Sequence, residues 1–338
     1  MIKYVFKRLG YMITVFFVVS FLMYCVYNLI PGDPAAQQLE EQKQKMTPEA
    51  YQAAYESLRE TMGLDDPIVV RYARWMGLVS RPDGTISGLL EGNFGYSLYY
   101  KKDVAAVIPL SMTNTVMLNI FSTILALGIT IPLGIYSAVH KKGKVDQVTQ
   151  VVTIVGYSIP IYIVALLCIW LFAVTLRWFP VTGAKTPGSD YTGIKEFLDR
   201  LYYMCLPVIV MTLASLGGMT RYVRAAMIES LGMDCIRTAR AKGLKEKVVI
   251  YSHAWRNALL PIITTIIGWF LGIFSGSVII ENTFGLNGMG ALYYVGLTNQ
   301  DYELALAIQM FYMVVSLVGT LITDLSYGLV DPRVHVDK

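Results

Sequence analysis

CIRTARAKGLKEKVVIYSHAWRNALLP, the stretch from Cys235 to Pro261, is crowded with Arg and Lys in a chain that is otherwise apolar. Of the 338 residues, 55% are hydrophobic and 15% are charged, and the mean hydropathy is +0.50. An ordinary soluble domain of this length carries more charge, so the composition predicts a membrane protein. The basic stretch then interrupts a membrane-spanning chain, and its role is the main question that the sequence raises.

Six apolar segments are long enough, at roughly 20 residues each, to cross a bilayer as helices. By residue number they are 9–30, 113–139, 148–176, 201–219, 259–280 and 304–325. The predicted fold class is therefore an all-α polytopic membrane protein with six transmembrane helices. The first segment follows Lys3, Lys7 and Arg8 and lacks a small-residue cleavage pattern, which predicts an uncleaved anchor with its N-terminus inside.

The distribution of Lys and Arg supports that orientation, since these residues are enriched in cytoplasmic loops. With the N-terminus inside, the inner segments hold Lys141, Lys142, Lys144, Arg221, Arg224, Arg237, Arg240, Lys242, Lys245, Lys247 and Arg256. The segment from Glu281 to Glu303 contains no Lys or Arg, as expected on the outer face. Both termini and the basic stretch are therefore predicted to be cytoplasmic.

The chain is predicted to have four parts: an anchor helix at 1–30, an outer segment at 31–108, a core of five transmembrane helices at 109–330 and a tail at 331–338. Within the core, the basic loop covers 221–258. The outer segment is predicted to be helical, because Thr47-Pro48 is typical of a helix start and Gly63 of its end. Asp66-Pro67 predicts the start of a second helix.

Residues typical of catalysis or metal binding are not grouped in this sequence. The four cysteines are far apart and are interpreted as apolar packing residues. Gly143-Lys144 is followed by Val145, which excludes a Walker A phosphate loop. Glu281 and Asp324 fall at the ends of spans, where interfacial hydration explains them. The chain is predicted not to be an enzyme and to bind no metal or nucleic acid.

The basic stretch has the periodicity of two short amphipathic helices that meet at Gly243, where a residue without Cβ allows a sharp bend. The first apolar series is Ile228, Leu231, Cys235 and Ala239, and the second is Leu244, Val248, Tyr251, Trp255 and Leu259. Three roles are open: a loop that only sets topology, a helix attracted to anionic lipid, and a docking element for another protein. The length, the central glycine and the continuation into the fifth span favour docking.

A resemblance to a known family narrows these roles. DCIRTARAKGLKEKVVIYSHAWRNALLPIIT resembles the EAA loop of ATP-binding-cassette (ABC) importer permeases, in the form found in the oligopeptide and dipeptide permeases. Similar motifs extend over nearly the whole chain: KYVFKRL, IPGDP, GNFGYS at 92–97, IPLGIYSA at 131–138, SIP at 158–160, VIIENTFGLNGMG at 278–290 and DPR at 331–333. The segment GLNGMG departs from the family by lacking its usual proline.

The resemblance implies the type I importer permease fold, with an outer helical insert between the first two spans. It implies the first, or B-type, permease, which pairs with a second permease, two cytoplasmic ATPases and an external substrate-binding protein in a bacterial or archaeal cytoplasmic membrane. This chain would bind no cofactor, since ATP and Mg would be used by the ATPases. The implied coupling helix that docks on an ATPase comprises Asp234, Ile236, Arg237, Thr238, Ala239, Arg240, Ala241, Lys242, Gly243 and Leu244.

The translocation path is predicted more loosely. Asn114, Asn119, Thr123, Ser158 and Thr264 are polar without charge, which suits a peptide path, and the alternative is that they bond to neighbouring helices. Pro160 is expected to kink the third span, and Pro261 to lie in the first turn of the fifth. Gly268, Gly272 and Gly276 are expected to form a ridge, which packs either against the partner permease or within this subunit.

Other functions stay open at this point. The same architecture could import nickel chelates or oligosaccharides. A self-sufficient channel, a secondary carrier and an intramembrane hydrolase are the alternatives from other classes, and the sequence lacks residues to support the last.

Overall fold

The computed structural model describes residues 2–30 and 32–330, so the predicted tail at 331–338 and its DPR motif lie outside the described residues. The chain forms two compact units. The first contains Met1–Ser111 and Leu292–Val314, and the second contains Met112–Ala291 and the chain from Val315.

Five helices are long and apolar enough to cross a membrane. They are Val5–Leu29, Val104–Val139, Ile194–Leu231, Glu246–Phe274 and Tyr302–Ser326. The predicted third span is instead a pair of helices, Lys144–Ser158 and Ile161–Thr175, bent by 100°. The break falls at Ile159-Pro160, because proline removes a backbone donor and restricts the residue before it. The all-α polytopic prediction is confirmed, and Pro160 produces a sharp break where a kink was expected.

The first unit contains the N-terminal helices, α1 (Ile2–Leu29), α2 (Pro34–Lys43), α3 (Pro48–Met62) and α4 (Ile68–Met76). The predicted bounds of α3 are confirmed: the Thr47 hydroxyl caps its first turn, and Gly63 ends it with a φ of 61°. Helix α2 was missed by the sequence analysis. It begins because Asp33 accepts hydrogen bonds from the amides of Ala35 and Ala36.

The remainder of the first unit contains a short hairpin, a buried hydrogen bond and an apolar core. A two-residue hairpin pairs β1 (Tyr96–Ser97) with β2 (Lys102–Asp103), with Tyr96 opposite Asp103. The hydroxyl of Ser97 donates to the buried carboxylate of Asp301 at 2.5 Å. The apolar core of this unit contains Tyr27, Ala305, Leu306 and Met310.

The second unit contains most of the long helices. They are α5 (Val104–Val139, of which the part from Met112 lies here), α6 (Lys144–Ser158), α7 (Ile161–Cys168, continued as a wider π-helical turn to Thr175), α8 (Ile194–Leu231) and α9 (Asp234–Ala241). A helical rod follows, comprising the single turn α10 (Glu246–Val248), a π-helical turn (Val249–Ala254), α11 (Trp255–Leu271) and a 3₁₀ turn (Gly272–Phe274). The chain then forms α12 (Val278–Phe284), the start of α13 (Met289–Thr298) as far as Ala291, and the part of α14 (Tyr302–Val330) from Val315.

Helix α8 is the centre of this unit, and its two ends are packed in separate apolar clusters. One cluster joins Met219, Val223 and Met227 of α8 to Ile236 of α9 and Ala254 of the rod. The other joins the first half of α8 to α5, α7 and α12. The basic stretch is thus seated on a packed apolar base and is not a detached loop.

Candidate functional site

The predicted coupling loop is a helix, a tight turn and the beginning of the rod Glu246–Phe274. Helix α8 ends at Leu231, and Met233 enters α9 with extended backbone (φ −69°, ψ 148°). Asp234 lies in the first turn of α9 and Arg240 in the last, which matches the partial charges of the two helix ends. The sequence therefore favours this short helix even though it has only two buried side chains, Ile236 and Ala239.

The buried face of the loop differs from the predicted apolar stripe. Ile236 and Ala239 are buried against a rod face that contains Val249, Ile250, Ala254 and Ala258. Of the predicted stripe, Cys235, Leu244, Val248 and Tyr251 are exposed. The π-helical turn at Val249–Ala254 has more residues per turn than an α-helix, so it shifts which residues of the rod face inward from Val249 onward. The predicted stripe is wrong at these four residues and confirmed at Ile228, Leu231, Ala239 and Trp255, which lie in or against the same cluster.

The exposed face of α9 contains most of the predicted coupling residues. The side chains of Asp234 and Arg237 are 95% and 76% exposed. The predicted residues that are exposed are Asp234, Arg237, Thr238, Arg240, Ala241, Lys242, Gly243 and Leu244, whereas Ile236 and Ala239 face the core. The structure thus brings all ten predicted residues together in one continuous helix and turn.

Gly243 makes the turn between α9 and the rod. Its φ is +75°, a left-handed conformation that side chains with Cβ rarely adopt. Its amide donates to the carbonyl of Arg240 at 2.9 Å, and the amide of Leu244 donates to Ala239 at 3.4 Å. No described atom lies within 4 Å of the position that a Cβ would take. The glycine is required by backbone geometry and not by crowding.

Arg240 links the two sides of this turn. Its guanidinium donates to the carboxylate of Glu246 at 2.6 and 3.2 Å, and Glu246 is the first residue of the rod. The hydrogen bond to Glu246, together with its charge, raises the pKa of Arg240 above its usual value. Both side chains are about half exposed, so the pair fixes the shape of the turn and leaves its charges accessible.

Two buried polar contacts near the loop were missed by the sequence analysis. The hydroxyl of Ser230, near the end of α8, donates to the carbonyl of Ala254 in the rod at 2.6 Å. Arg224 of α8 forms a bidentate ion pair with the fully buried Asp146 of α6 at 2.6 and 2.8 Å. The sequence analysis counted Arg224 only among the positive charges of the inner segments. The early position of Asp146 in α6 was the only signal that could have indicated a partner for Arg224.

The residues predicted to line the path lie in separate places. Asn114 is buried in α5, and its amide donates to the carbonyl of Leu286 at 2.8 Å. Ser158 donates to Ile154 and Thr264 to Pro261, both within their own helices. Among residues 2–30 and 32–330, no hydrogen bond joins these three predicted residues to one another. Asn114 thus bonds to a neighbouring segment of the subunit, and the path role of these residues stays a prediction.

The predicted glycine ridge is interrupted. Gly268 and Gly272 lie on the rod, and no described atom lies within 4 Å of a Cβ placed on either. The rod ends at Phe274, however, so Gly276 is outside it. A Cβ on Gly276 would lie 2.0 Å from the amide nitrogen of Gly290. The three-glycine helical ridge was therefore wrong, because the helix ends before its third member.

Pro261 also differs from its prediction. It lies inside α11 rather than in a first turn, because the rod begins fifteen residues earlier, at Glu246. The carbonyl of Pro261 accepts a hydrogen bond from the Tyr222 hydroxyl of α8 at 2.9 Å. This contact fixes α8 to the rod at the proline.

Glu281 is buried, which contradicts the expectation that interfacial water explains it. Only 1% of the residue is exposed. Burial raises the pKa of Glu281, while hydrogen bonds from Thr115 and the amides of Ala291, Gly290 and Ser277 act in the opposite direction.

In the described part of the chain, no group of three His, Cys, Asp or Glu residues is placed to hold a metal ion.

Comparison with protein families identifies the chain. Residues 130–336 match the family described as the binding-protein-dependent transport system inner membrane component, and residues 1–119 match the N-terminal region of such membrane components. This chain belongs to that family. The permease is accordingly a transport component and a multi-pass membrane protein.

Relatives resemble this permease over its whole length. It is 35% identical to the oligopeptide transport system permease protein AppB of Bacillus subtilis, over 99% of this chain and 100% of that protein. It is 31% identical to the dipeptide transport system permease protein DppB of Lactococcus lactis, with the same coverage. The resemblance to peptide permeases described from sequence motifs is confirmed at the level of the family.

A solved structure confirms the fold. The permease resembles a chain of the inward-facing MetNI methionine ABC transporter with a TM-score of 0.53 at 14% identity. The match covers 67% of the permease and 97% of that chain. The type I importer permease fold is thus shared.

Proposed function

We propose that the permease forms, together with a second permease, the membrane path of an ATP-driven importer of oligopeptides or dipeptides. The proposal is supported by full-length similarity to an oligopeptide and a dipeptide permease. ATP and Mg are used by separate ATPase subunits, so no phosphate site is needed here.

The face of α9 and the Gly243 turn is the proposed docking surface for one ATPase. The observation that carries this proposal is the rod Glu246–Phe274, which begins directly after the exposed turn and continues for 29 residues. Exposed Arg237 and Arg240 beside the exposed apolar Leu244 offer charge for register and an apolar contact for a cleft. Displacement of the turn by the ATPase moves the rod, because Gly243 and the Arg240–Glu246 pair fix the shape of the turn.

The orientation and the partners complete the proposal. Both termini face the cytoplasm, as the placement of Lys and Arg in loops favours. The machine contains this permease, a second permease, two ATPases and an external substrate-binding protein, as expected for a binding-protein-dependent system. Gly268 and Gly272, which have open space beside them, are proposed to face a helix of the second permease. Ser158, Pro160 and Thr264 are proposed to lie near the path.

Reconstitution tests the proposed substrate. The permease is purified with its second permease and ATPases and placed in liposomes. ATP is supplied on the side of the membrane that holds the ATPases, and the binding protein is supplied on the opposite side. Uptake of labelled di- or tetrapeptide that requires both ATP and the binding protein is the expected result. Uptake of a nickel chelate or an oligosaccharide without peptide uptake would overturn the substrate, and transport by the permease alone would overturn the importer architecture.

A further inference from the structure

The segment Gly272–Ala291, which runs from the last turn of the rod to the first turn of α13, is held by polar side chains of α5. Asn119 donates from its amide to the carbonyls of Ile273 and Ser275, each at 2.9 Å. Asn114, one turn earlier, donates to the carbonyl of Leu286 at 2.8 Å. Both asparagines are more than nine-tenths buried, so these bonds form away from water and fix the path of the segment.

The carboxylate of Glu281 is the centre of the same network. Its Oε1 accepts from the hydroxyl of Thr115 at 2.7 Å and from the amide of Ser277 at 3.3 Å. Its Oε2 accepts from the amide of Ala291 at 2.9 Å, and the amide of Gly290 also donates to the carboxylate. The hydroxyl of Thr115 accepts in turn from the amide of Met289 at 2.7 Å.

The amides at Met289, Gly290 and Ala291 are the first three of α13, and they have no partner within a helix. Thr115 of α5 and Glu281 of α12 satisfy all three. A negative charge at the beginning of a helix is also favourable. The network therefore binds α5, α12 and the start of α13 into a single joint.

Close backbone approach makes this joint rigid. A Cβ on Gly288 would lie 2.4 Å from the carboxyl carbon of Glu281, and one on Gly276 would lie 2.0 Å from the amide nitrogen of Gly290. No side chain could be added at either glycine without moving the network. Glycine at these two positions is explained by the carboxylate and by the neighbouring backbone.

We propose that Glu281 is a positioning residue of the transport cycle, whose carboxylate ties the end of the rod to α5 and to the start of α13. The inference rests on the proposed coupling of the Gly243 turn to an ATPase. Displacement of the rod at the turn is then delivered to α5 and α13 as one body. A loose segment at Gly272–Ala291 would absorb the displacement instead, and ATP would be hydrolysed without transport.

The test uses the complete complex in liposomes and measures peptide taken up per ATP hydrolysed. Glu281→Gln keeps the size of the side chain but turns an amide group toward backbone donors. Thr115→Val removes the hydroxyl that bonds to both Glu281 and Met289, and Thr115→Ser restores it. Thr283→Val is the matched control, because the Thr283 hydroxyl of α12 is exposed and donates only to Ile279 within its own helix.

The expected result is a fall of about tenfold in peptide carried per ATP for Glu281→Gln and Thr115→Val, the scale expected for residues in a coupling network. Thr115→Ser and Thr283→Val are expected to resemble the wild type. Thr115→Val complexes that assemble and remain fully coupled would overturn the proposal. If Glu281→Gln does not assemble, Thr115→Val decides the question, since it leaves the carboxylate with its three backbone donors.

An error in the proposed substrate can be told apart from an error in the role proposed for Glu281. A wild-type complex that does not transport peptide contradicts the proposed function whatever the variants do. Coupling is then read from stimulation of ATP hydrolysis by the binding protein, which requires no peptide. Stimulation that is lost in Thr115→Val and kept in Thr283→Val supports the role of Glu281, and stimulation kept in both contradicts it.

Discussion

The two ends of the rod Glu246–Phe274 are held in opposite ways. At its first residue, Glu246, the rod joins a turn whose charged side chains are exposed and which is crossed by the exposed Arg240–Glu246 ion pair. At Phe274 it joins a segment held by the buried side chains of Asn119, Thr115 and Glu281. The polar groups at the Glu246 end are exposed, whereas those at the Phe274 end are hydrogen-bonded inside the subunit.

This difference indicates what each end is built to do. Exposed charges contribute little to folding, so their arrangement at the turn is available for recognising another protein. Buried polar groups are costly unless they are all bonded, and when bonded they hold one geometry. The turn is thus suited to bind another protein and to be displaced by it. The buried network is suited to transmit that displacement rigidly. The following substitutions test the contrast, from the largest expected effect to the smallest.

Asn119→Leu should destabilise the permease strongly. It removes the donor to the carbonyls of Ile273 and Ser275, and each buried group left without a partner costs roughly 1–3 kcal/mol. Lys242→Ala at the exposed turn is the comparison, with an expected change within about 0.5 kcal/mol. Thermal unfolding of the purified complex in detergent measures both, and equal midpoints for the two variants would remove the contrast between the ends.

Gly243→Val should have a smaller effect on stability and a large one on coupling. A β-branched residue at φ +75° costs about 1–3 kcal/mol in backbone strain. Asparagine tolerates this conformation, so Gly243→Asn is the matched control. Normal peptide uptake per ATP in Gly243→Val would show that the shape of the turn does not matter for coupling.

Ser230→Ala should cost about 1 kcal/mol, the usual contribution of one hydrogen bond. The variant loses the bond from Ser230 to the carbonyl of Ala254, which ties α8 to the rod near the turn. Amide hydrogen exchange along the π-helical turn is expected to increase. Unchanged exchange there would mean that apolar packing alone holds the base of the loop.

Arg240→Glu should leave stability nearly unchanged and weaken association with the ATPase. The double variant Arg240→Glu, Glu246→Arg restores an ion pair across the turn with its charges exchanged. If the ATPase reads the charge of Arg240, both variants lose affinity in pull-downs. Recovery by the double variant would assign Arg240 to the internal pair only.

Local signals in the sequence predicted the parts of the fold whose causes are local. The bounds of α3 followed from Thr47, Pro48 and Gly63, since capping and left-handed turns depend on neighbouring residues. The bend at Gly243 and the break at Pro160 followed for the same reason. These positions account for the shape of the loop and for the broken third span.

Features that depend on distant partners could not be predicted. The position of Glu281 beside an apolar span gave no sign of Thr115, which is 166 residues away. The phase of the rod depended on a π-helical turn, and periodicity templates assume a regular helix. The glycine ridge failed because the end of the helix at Phe274 is set by Asn119 and the following segment, not by the glycines.

The most direct test of this account is the distance between spin labels at Ile124 of α5 and Ile279 of α12, both exposed positions. It is measured by electron spin resonance in the assembled complex, first without nucleotide and then with ATP trapped. If the network around Glu281 holds the end of the rod to α5, the distance distribution is the same in both states. A shifted distribution between the two states would contradict the account.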